Sequence, residues 1–384
     1  MGFMGYPRPD GACGVRNHVA VISTVVCANG VVEAIARAVP GVKAIVHTEG
    51  CGRGPKDIAI SIRTLIGLGQ NPNIAAVLLV GLGCEFIKPE YLQPAIAQSK
   101  KPVEALSIQQ EGGSVKTAKK GIEIAKRLVD YATGIAREEC KWSTLTLALK
   151  CGGSDALSGV TANPTVGVAA DWLAGEGGTV LLAETTEMIG TEALLAKRAA
   201  DAEVARKIVE LIRHQHQRAI EELGPMADYV ISPGNMDGGL SSIQEKSLGC
   251  IIKGGTGAIN QVIEYGEKPA KHGLVIMDTP GADVFSLTAL AAGGAQISIF
   301  TTGRGTPAGF PIMPVIKVSS NTELYNRMGD DIDLNAGVIL EGANLAQTGK
   351  SLIALVQQVA NGVQTKAEIN LNDLLAIHTV GPAF

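Results

Sequence analysis

The sequence predicts an α/β protein made of two Rossmann-like units with mainly parallel sheets and a shared cleft at the carboxyl ends of the strands. Three observations carry that prediction. Glycine is abundant, 47 of 384 residues, while aromatics reach only 4%, a balance that suits many tight strand-to-helix turns better than a sandwich or a bundle. From His18 onward, apolar runs of strand length alternate with segments of helical period. The runs themselves are nearly unbroken Val, Ile, Leu and Ala, the mark of parallel strands covered on both faces.

The first unit opens with the strand HVAVISTVV and the helix VVEAIARAVPG. It continues through the strand VKAIVHTEGCG, the helix DIAISIRTLIGLG, the strand IAAVLLVGLGCE, the helix YLQPAIAQS and the strand VEALSIQQEGG. The helix KTAKKGIEIAKRLVDYATGIA closes it. The stretch REECKWST, Arg137 to Thr144, is polar and lacks an apolar period, so the boundary is expected there, with domains over 1–138 and 139–384. The second unit begins with LTLALKCGG, then the helix ANPTVGVAADWLAGEGG and the strand TVLLAETTE. A long charged helix is expected from Ala193 to Leu223, followed by strands in HGLVIMDTPG, AQISIFTTGRG and MPVIKVSSN and a helix in SLIALVQQVANG.

A net charge of -4 offers no basic field for a phosphate backbone, which argues against a nucleic-acid partner. The N-terminal MGFMGYPRPDGACG lacks a signal-peptide core, and no apolar run is long enough to span a bilayer, so a cytoplasmic protein is expected. Seven cysteines without framework spacing read as thiols or metal ligands rather than disulfides in a reducing compartment. No GxGxxG opens a helix after the first strand, and GxxxxGK[ST] does not occur, which leaves a nucleotide site without support.

Ligands of open parallel sheets bind beyond the strand carboxyl ends, and the loops there are rich in chemistry. Three carry a cysteine beside glycine: HTEGCGRG with Cys51, GLGCE with Cys84 and KCGGSD with Cys151. Thiolates are soft ligands suited to iron, zinc or an iron-sulfur cluster, and His47 and Glu49 add an imidazole and a carboxylate. Cys13, Cys27, Cys140 and Cys250 are expected to be structural, and His214 and His216 to lie on a solvated helix face. ETTE supplies Glu184 and Glu187, MDTPGAD supplies Asp278 and Asp283, and IQEKSLG supplies Glu245 beside Lys246. Such carboxylates ligate metals or act as bases. For anion recognition the candidates are Thr302 and Arg304 in FTTGRG, Asn235 in SPGNMDGG and Lys253 in IIKGGTG.

YPRPDGACGVRNHV, NPNIAAVLLVGLGCE, KCGGSDALSGVTANPTVG, SPGNMDGGLSSIQEKSLG, MDTPGAD and TTGRGTPAG, in this order over nearly the whole chain, resemble the catalytic part of the altronate and galactarate dehydratase family. The resemblance implies an iron-dependent lyase acting on a small anionic 2-hydroxy acid, the iron being mononuclear Fe2+ or a cluster, by β-elimination to a 2-keto acid. On that view His47, Glu49, Glu184, Glu245 and Lys246 are catalytic. Arg16, Asn163, Asn235, Lys253, Thr302 and Arg304 bind substrate, and Cys51, Cys84, Cys151 and His47 bind metal. The opening GYPRPDG lies almost at Met1, so the small β-rich domain of the sugar-acid dehydratases is expected either as a separate subunit, the form of the family's (2R)-sulfolactate sulfo-lyase branch, or as dispensable, and the assembly as an oligomer. TPAGFPIMPVIK after TTGRG predicts a pocket wall less polar than a long polyol requires. Sulfolactate, losing sulfite to give pyruvate, is the first expectation; sugar-acid dehydration is the alternative, and a non-catalytic metal-binding scaffold a remote one.

Overall fold

The computed structural model describes residues 2–384. Two parallel sheets, each flanked by helices, make up most of the chain. The first has the order β4-β3-β5-β6, from β3 (His18–Ser23), β4 (Val42–Ile45), β5 (Ile74–Gly81) and β6 (Val103–Ser107). All its pairings are parallel. Its helices are α1 (Asn29–Ala38), α2 (Pro55–Gln70), α3 (Pro89–Ala97) and α4 (Ser114–Thr133). Every residue of β5 is buried, as its unbroken apolar run requires. Proline at the first turn starts both α2 and α3, where its missing N-H costs nothing.

The second sheet has seven parallel strands in the order β10-β11-β9-β8-β12-β13-β14. They are β8 (Thr146–Cys151), β9 (Thr179–Leu182), β10 (Ile259–Ile263), β11 (Gly273–Met277), β12 (Ile297–Thr302), β13 (Val315–Ser319) and β14 (Leu334–Asn335). Between them run α5 (Ala162–Gly175), α6 (Glu192–Ala196), α7 (Ala202–Leu223), α8 (Pro233–Asp237), α9 (Ile243–Cys250), α10 (Asp283–Ala292), α11 (Thr322–Arg327), α12 (Leu345–Ala360) and α13 (Lys366–Ile369). The chain winds outward from β8 in both directions, so the order of strands reverses between β8 and β12. That places the sheet's ligand crevice between the loops after Cys151 and Thr302. The helix expected over Ala193 to Leu223 is two helices, because Asp201 is extended and caps α7 by accepting from the Val204 N-H.

A core shared by the two sheets fixes their relation. Leu65 and Leu68 of α2 pack in one cluster with Leu287 and Leu290 of α10, between Leu79 on one side and Phe300 on the other. Phe310, Ile312 and Met313 belong to this same cluster. The less polar stretch after TTGRG is therefore core, not pocket wall, and the expectation built on it is corrected.

Part of the stretch REECKWST is a strand. Glu138–Lys141 forms β7, which pairs antiparallel with β1 (Gly2–Pro7), while β2 (Cys13–Gly14) pairs on the other edge of β1. Cys13 and Cys140 are joined as a disulfide across β1, which corrects the expectation of unpaired thiols. Gly5 on β1 makes the bridge feasible, since a Cβ there would lie 2.9 Å from the Cys13 sulfur. Trp142 follows β7 and stacks on Phe3 and Trp172, anchoring this small sheet to the larger core. Among the described residues no helix is long and apolar enough to cross a membrane.

Candidate metal centre and active site

Lys150 and Cys151 end β8, a strand whose other positions are apolar or small. The lysine is fully buried, and its ammonium meets the carboxylates of Glu184 and Asp283 as well as the Cys151 carbonyl, 2.9 Å away. Glu184 follows β9 with φ of +71°, the left-handed region that a residue with a side chain occupies at a cost. That turn aims its carboxylate back at β8, where it accepts from the Cys151 N-H at 2.8 Å.

Around the Cys151 sulfur the groups close in. Glu187 Oε2 lies 2.6 Å away, Lys253 Nζ 2.6 Å and the Cys250 sulfur 3.3 Å. Cys250 ends α9, and Lys246, one turn earlier, holds the other oxygen of Glu187 at 2.7 Å. Cys151, Glu187 and Cys250, all buried, offer donor atoms within 4.8 Å of one another, a geometry able to coordinate a metal ion. Two sulfurs and a carboxylate oxygen suit a first-row divalent metal with positions left open for a ligand.

Charge balance supports the same fit. Lys150, Lys246 and Lys253 face Glu184, Glu187 and Asp283, three charges against three. Ionising both thiols adds two negative charges, which a divalent cation cancels; without it the buried site would be left uncompensated. In the absence of metal, hydrogen bonding to Cys151 and burial push the Cys250 thiol up, so metal binding has to release protons. Burial works to raise the Glu187 carboxyl, but the ammoniums of Lys246, Lys253 and Lys150 outweigh it and hold the group well below the usual range. Glu184 moves the other way, raised by burial and by the neighbouring Glu187 charge against the pull of Lys150 and Lys253. Two carboxyls 3 residues apart thus differ in proton affinity, a pattern associated with acid-base sites.

A cavity of about 240 Å3 opens beside this cluster, with Lys246 and Cys250 common to both. Ser154, Ser158, Asn163 and Leu248 are among the residues that line it. The loops around it are tied by Asp155, which accepts from Ser158 Oγ at 2.7 Å and from Ser320 Oγ at 2.8 Å. Gly153 joins the crevice's two sides by accepting from the N-H groups of Gly303 and Arg304.

The other expected site residues are distributed as follows. Asn163 bonds Gly249 and Thr301, Asn235 holds the Ser154 carbonyl, and Glu245, exposed at the cavity, accepts from Ser241, whose bonds hold its carboxyl low. Thr302 caps the turn to Gly305. Arg304 is exposed beside Gly153. Arg16 corrects the expectation of a substrate ligand: its guanidinium hydrogens go to Glu368 and to the carbonyls of Val15, Val359 and Val363. His47, Glu49, Cys51 and Cys84 stand at the rim of the other sheet. His47 donates Nε2-H to the Ser23 carbonyl and accepts the Glu49 N-H at Nδ1, so both ring nitrogens are occupied. Glu49 pairs with Arg53 at 2.7 Å, and Cys51 and Cys84 are exposed. Neither thiol nor His47 joins the metal-competent group. The expected convergence of Cys51 and Cys84 with Cys151 is corrected: the sulfur beside Cys151 is Cys250's. Sequence reasoning passed over Cys250 and Lys150; the signal for Lys150 was a charge inside an apolar strand.

Comparison with known proteins agrees with this reading. A family model described as "D-galactarate dehydratase/Altronate hydrolase, second domain" matches residues 5–133, and one described as "D-galactarate/Altronate dehydratase, C-terminal" matches 142–382. The chain is 37% identical to altronate dehydratase of Bacillus subtilis, over 99% of this chain and 78% of that protein. It is 35% identical to galactarate dehydratase (L-threo-forming) of Escherichia coli, over 99% and 77%. Identity to the (2R)-sulfolactate sulfo-lyase subunit beta of Chromohalobacter salexigens is 36%, over 95% and 94%. With a metal-competent group at the crevice and relatives that are all lyases, the chain is a lyase, and it belongs to the D-galactarate/altronate dehydratase family.

Proposed function

We propose that the protein dehydrates a polyhydroxy 2-hydroxy acid to a 2-keto acid, an altronate- or galactarate-type reaction assisted by iron. The observation that carries this reading is the Cys151-Glu187-Cys250 group beside a cavity that Cys250 helps to line, in a chain whose relatives include altronate and galactarate dehydratases. Cys151, Glu187 and Cys250 would hold the metal. When bound, it supplies a Lewis acid that acidifies the proton next to the carboxylate.

The protein's own groups do the rest. Lys253, fixed by Cys151 and the two glutamates, keeps positive charge where the substrate's carboxylate arrives; its ammonium is held charged against burial by the Cys151 and Cys250 sulfurs and by Glu184 and Glu187. Glu245, ionised and at the cavity, takes the C2 proton. Lys246 borders the same cavity, and its ammonium, kept charged against burial by Glu187, hydrogen-bonds the departing C3 hydroxyl, which leaves as water with the proton that Glu245 has taken.

A second reading keeps one supporting observation. The exposed Arg304 guanidinium beside Gly153 has the geometry to fork onto a sulfonate, and a relative is a sulfolactate sulfo-lyase subunit. On that reading a separate small subunit completes the enzyme and sulfite leaves C3. The deciding experiment is an anaerobic assay of iron-reconstituted protein with altronate, galactarate and sulfolactate. Dehydration predicts a 3-deoxy-2-keto acid from a sugar acid; pyruvate and sulfite in equal amounts, without sugar-acid turnover, would overturn it in favour of the sulfo-lyase.

A further inference from the structure

One residue that lines the cavity carries a buried hydroxyl with no partner among the described residues. Ser154 is 2% exposed, its hydroxyl makes no hydrogen bond, and it lines the 240 Å3 space next to Lys246 and Cys250. A buried hydroxyl without a partner costs free energy, so its retention points to a ligand that supplies one. Its polar neighbours are already satisfied. Asn163 uses its carbonyl on Thr301 and its amide on Gly249, and Ser158 donates to Asp155. Asp155 in turn accepts from Ser158, Ser320 and Asn321.

Leu240, Leu248, Val160 and Ile252 also line the space, and such side chains suit C-H faces. A volume of 240 Å3 corresponds to about eight water-sized groups at roughly 30 Å3 each. A three-carbon acid held at the metal-competent group has no atoms beyond C3 to fill it. The tail of a six-carbon hydroxy acid does, with carbons for the leucine side chains and a hydroxyl for Ser154.

We infer that Ser154 is a specificity-determining residue: its hydroxyl binds a hydroxyl beyond C3 of an extended polyhydroxy acid, and Leu248 covers the carbon chain. This rests on the dehydratase reading for the identity of the acid, but its test does not depend on turnover. A 3-deoxy-hexonate, which lacks the leaving hydroxyl, and glycerate serve as probes in titration calorimetry with the metal-loaded protein. Ser154→Ala should weaken the six-carbon probe about 5- to 20-fold and change glycerate less than 2-fold. Val160→Trp, at a position 58% exposed at the cavity mouth, should also weaken only the long probe and carries little risk to folding.

Equal weakening of both probes, no weakening of the long one by either variant, or no binding of the long probe to the unmodified protein would each overturn the inference. Binding of the long probe with the predicted Ser154 dependence, but no dehydration of any hexonate, would instead sink the dehydratase reading and leave the Ser154 subsite standing. If hexonates are turned over, Ser154→Ala should raise KM and leave kcat near its original value, since the contact lies away from the bonds that break.

Discussion

The two sheets present the same strand-then-glycine loops at their carboxyl ends, yet they spend their polar groups differently. At the four-stranded sheet the groups are satisfied in small separate sets: His47 by Ser23 and the Glu49 backbone, Glu49 by Arg53, and Glu85 by Thr24 and the N-H groups of Leu82 and Gly83. At the seven-stranded sheet, long-range partners 33 to 102 residues apart crowd around Cys151, and their charges balance only as a set. Similar loop sequences therefore make a rigid scaffold in one place and a reactive, metal-competent centre in the other. What separates them is whether the polar groups are satisfied in small independent sets or only as one interlocked cluster of charges.

The contrast is sharpest in activity. Glu187→Gln removes the only carboxylate of the metal-competent group and should lower kcat/KM by at least about 100-fold, on the scale of lost catalytic groups. Glu49→Gln at the other rim should stay within a few-fold. Steady-state kinetics of the two variants decides it, and comparable losses would erase the distinction between the rims.

In stability, Lys150→Met leaves the buried Glu184 carboxylate with only Lys253 and the Cys151 N-H, and breaking a buried pair costs about 3–5 kcal/mol. Denaturant midpoints would register the loss. Arg53→Ala at the first sheet removes a partner that is 21% exposed, against 0% for Lys150, and should shift the midpoint less.

A pH effect of intermediate size belongs to the first sheet. Burial, with Lys43 and Arg16 nearby, pushes the His18 imidazole down to about 3. Because the folded value is depressed, this contribution is intact above the unfolded value near 6.5 and is lost as pH falls from there toward 3. At pH 5 the loss amounts to at most about 2 kcal/mol, taking about 1.4 kcal/mol per unit. His18→Gln should flatten that part of the stability-pH curve; an unchanged slope between pH 6.5 and 5 would contradict it.

The fold was legible because it rests on local signals. Unbroken apolar runs such as IAAVLLVG and the glycine loops after them specify parallel strands and turns without knowledge of partners. Cys151, Glu184, Glu187 and Lys246 were legible for the same reason, each lying at a strand end or in a polar motif. Cys250 was not: it ends an ordinary helix and acquires its meaning only from a sulfur 99 residues away. Cys51 and Cys84 misled for the converse reason, since the same local grammar serves a different sheet. Arg16 sits in a polar, glycine-bearing segment, but the groups that exhaust its donors come from Val359 to Glu368, contacts no local pattern announces.

Cobalt(II) reconstitution under anaerobic conditions tests the central claim most directly, because thiolate-to-cobalt charge transfer reports sulfur ligands in the near ultraviolet and metal analysis counts the bound ion. The unmodified protein, Cys51→Ser and Cys84→Ser should each bind one cobalt with the same sulfur band, whereas Cys250→Ser should lose most of the band and the affinity. A full band in Cys250→Ser together with its loss in Cys51→Ser or Cys84→Ser would move the metal to the other sheet and contradict the account.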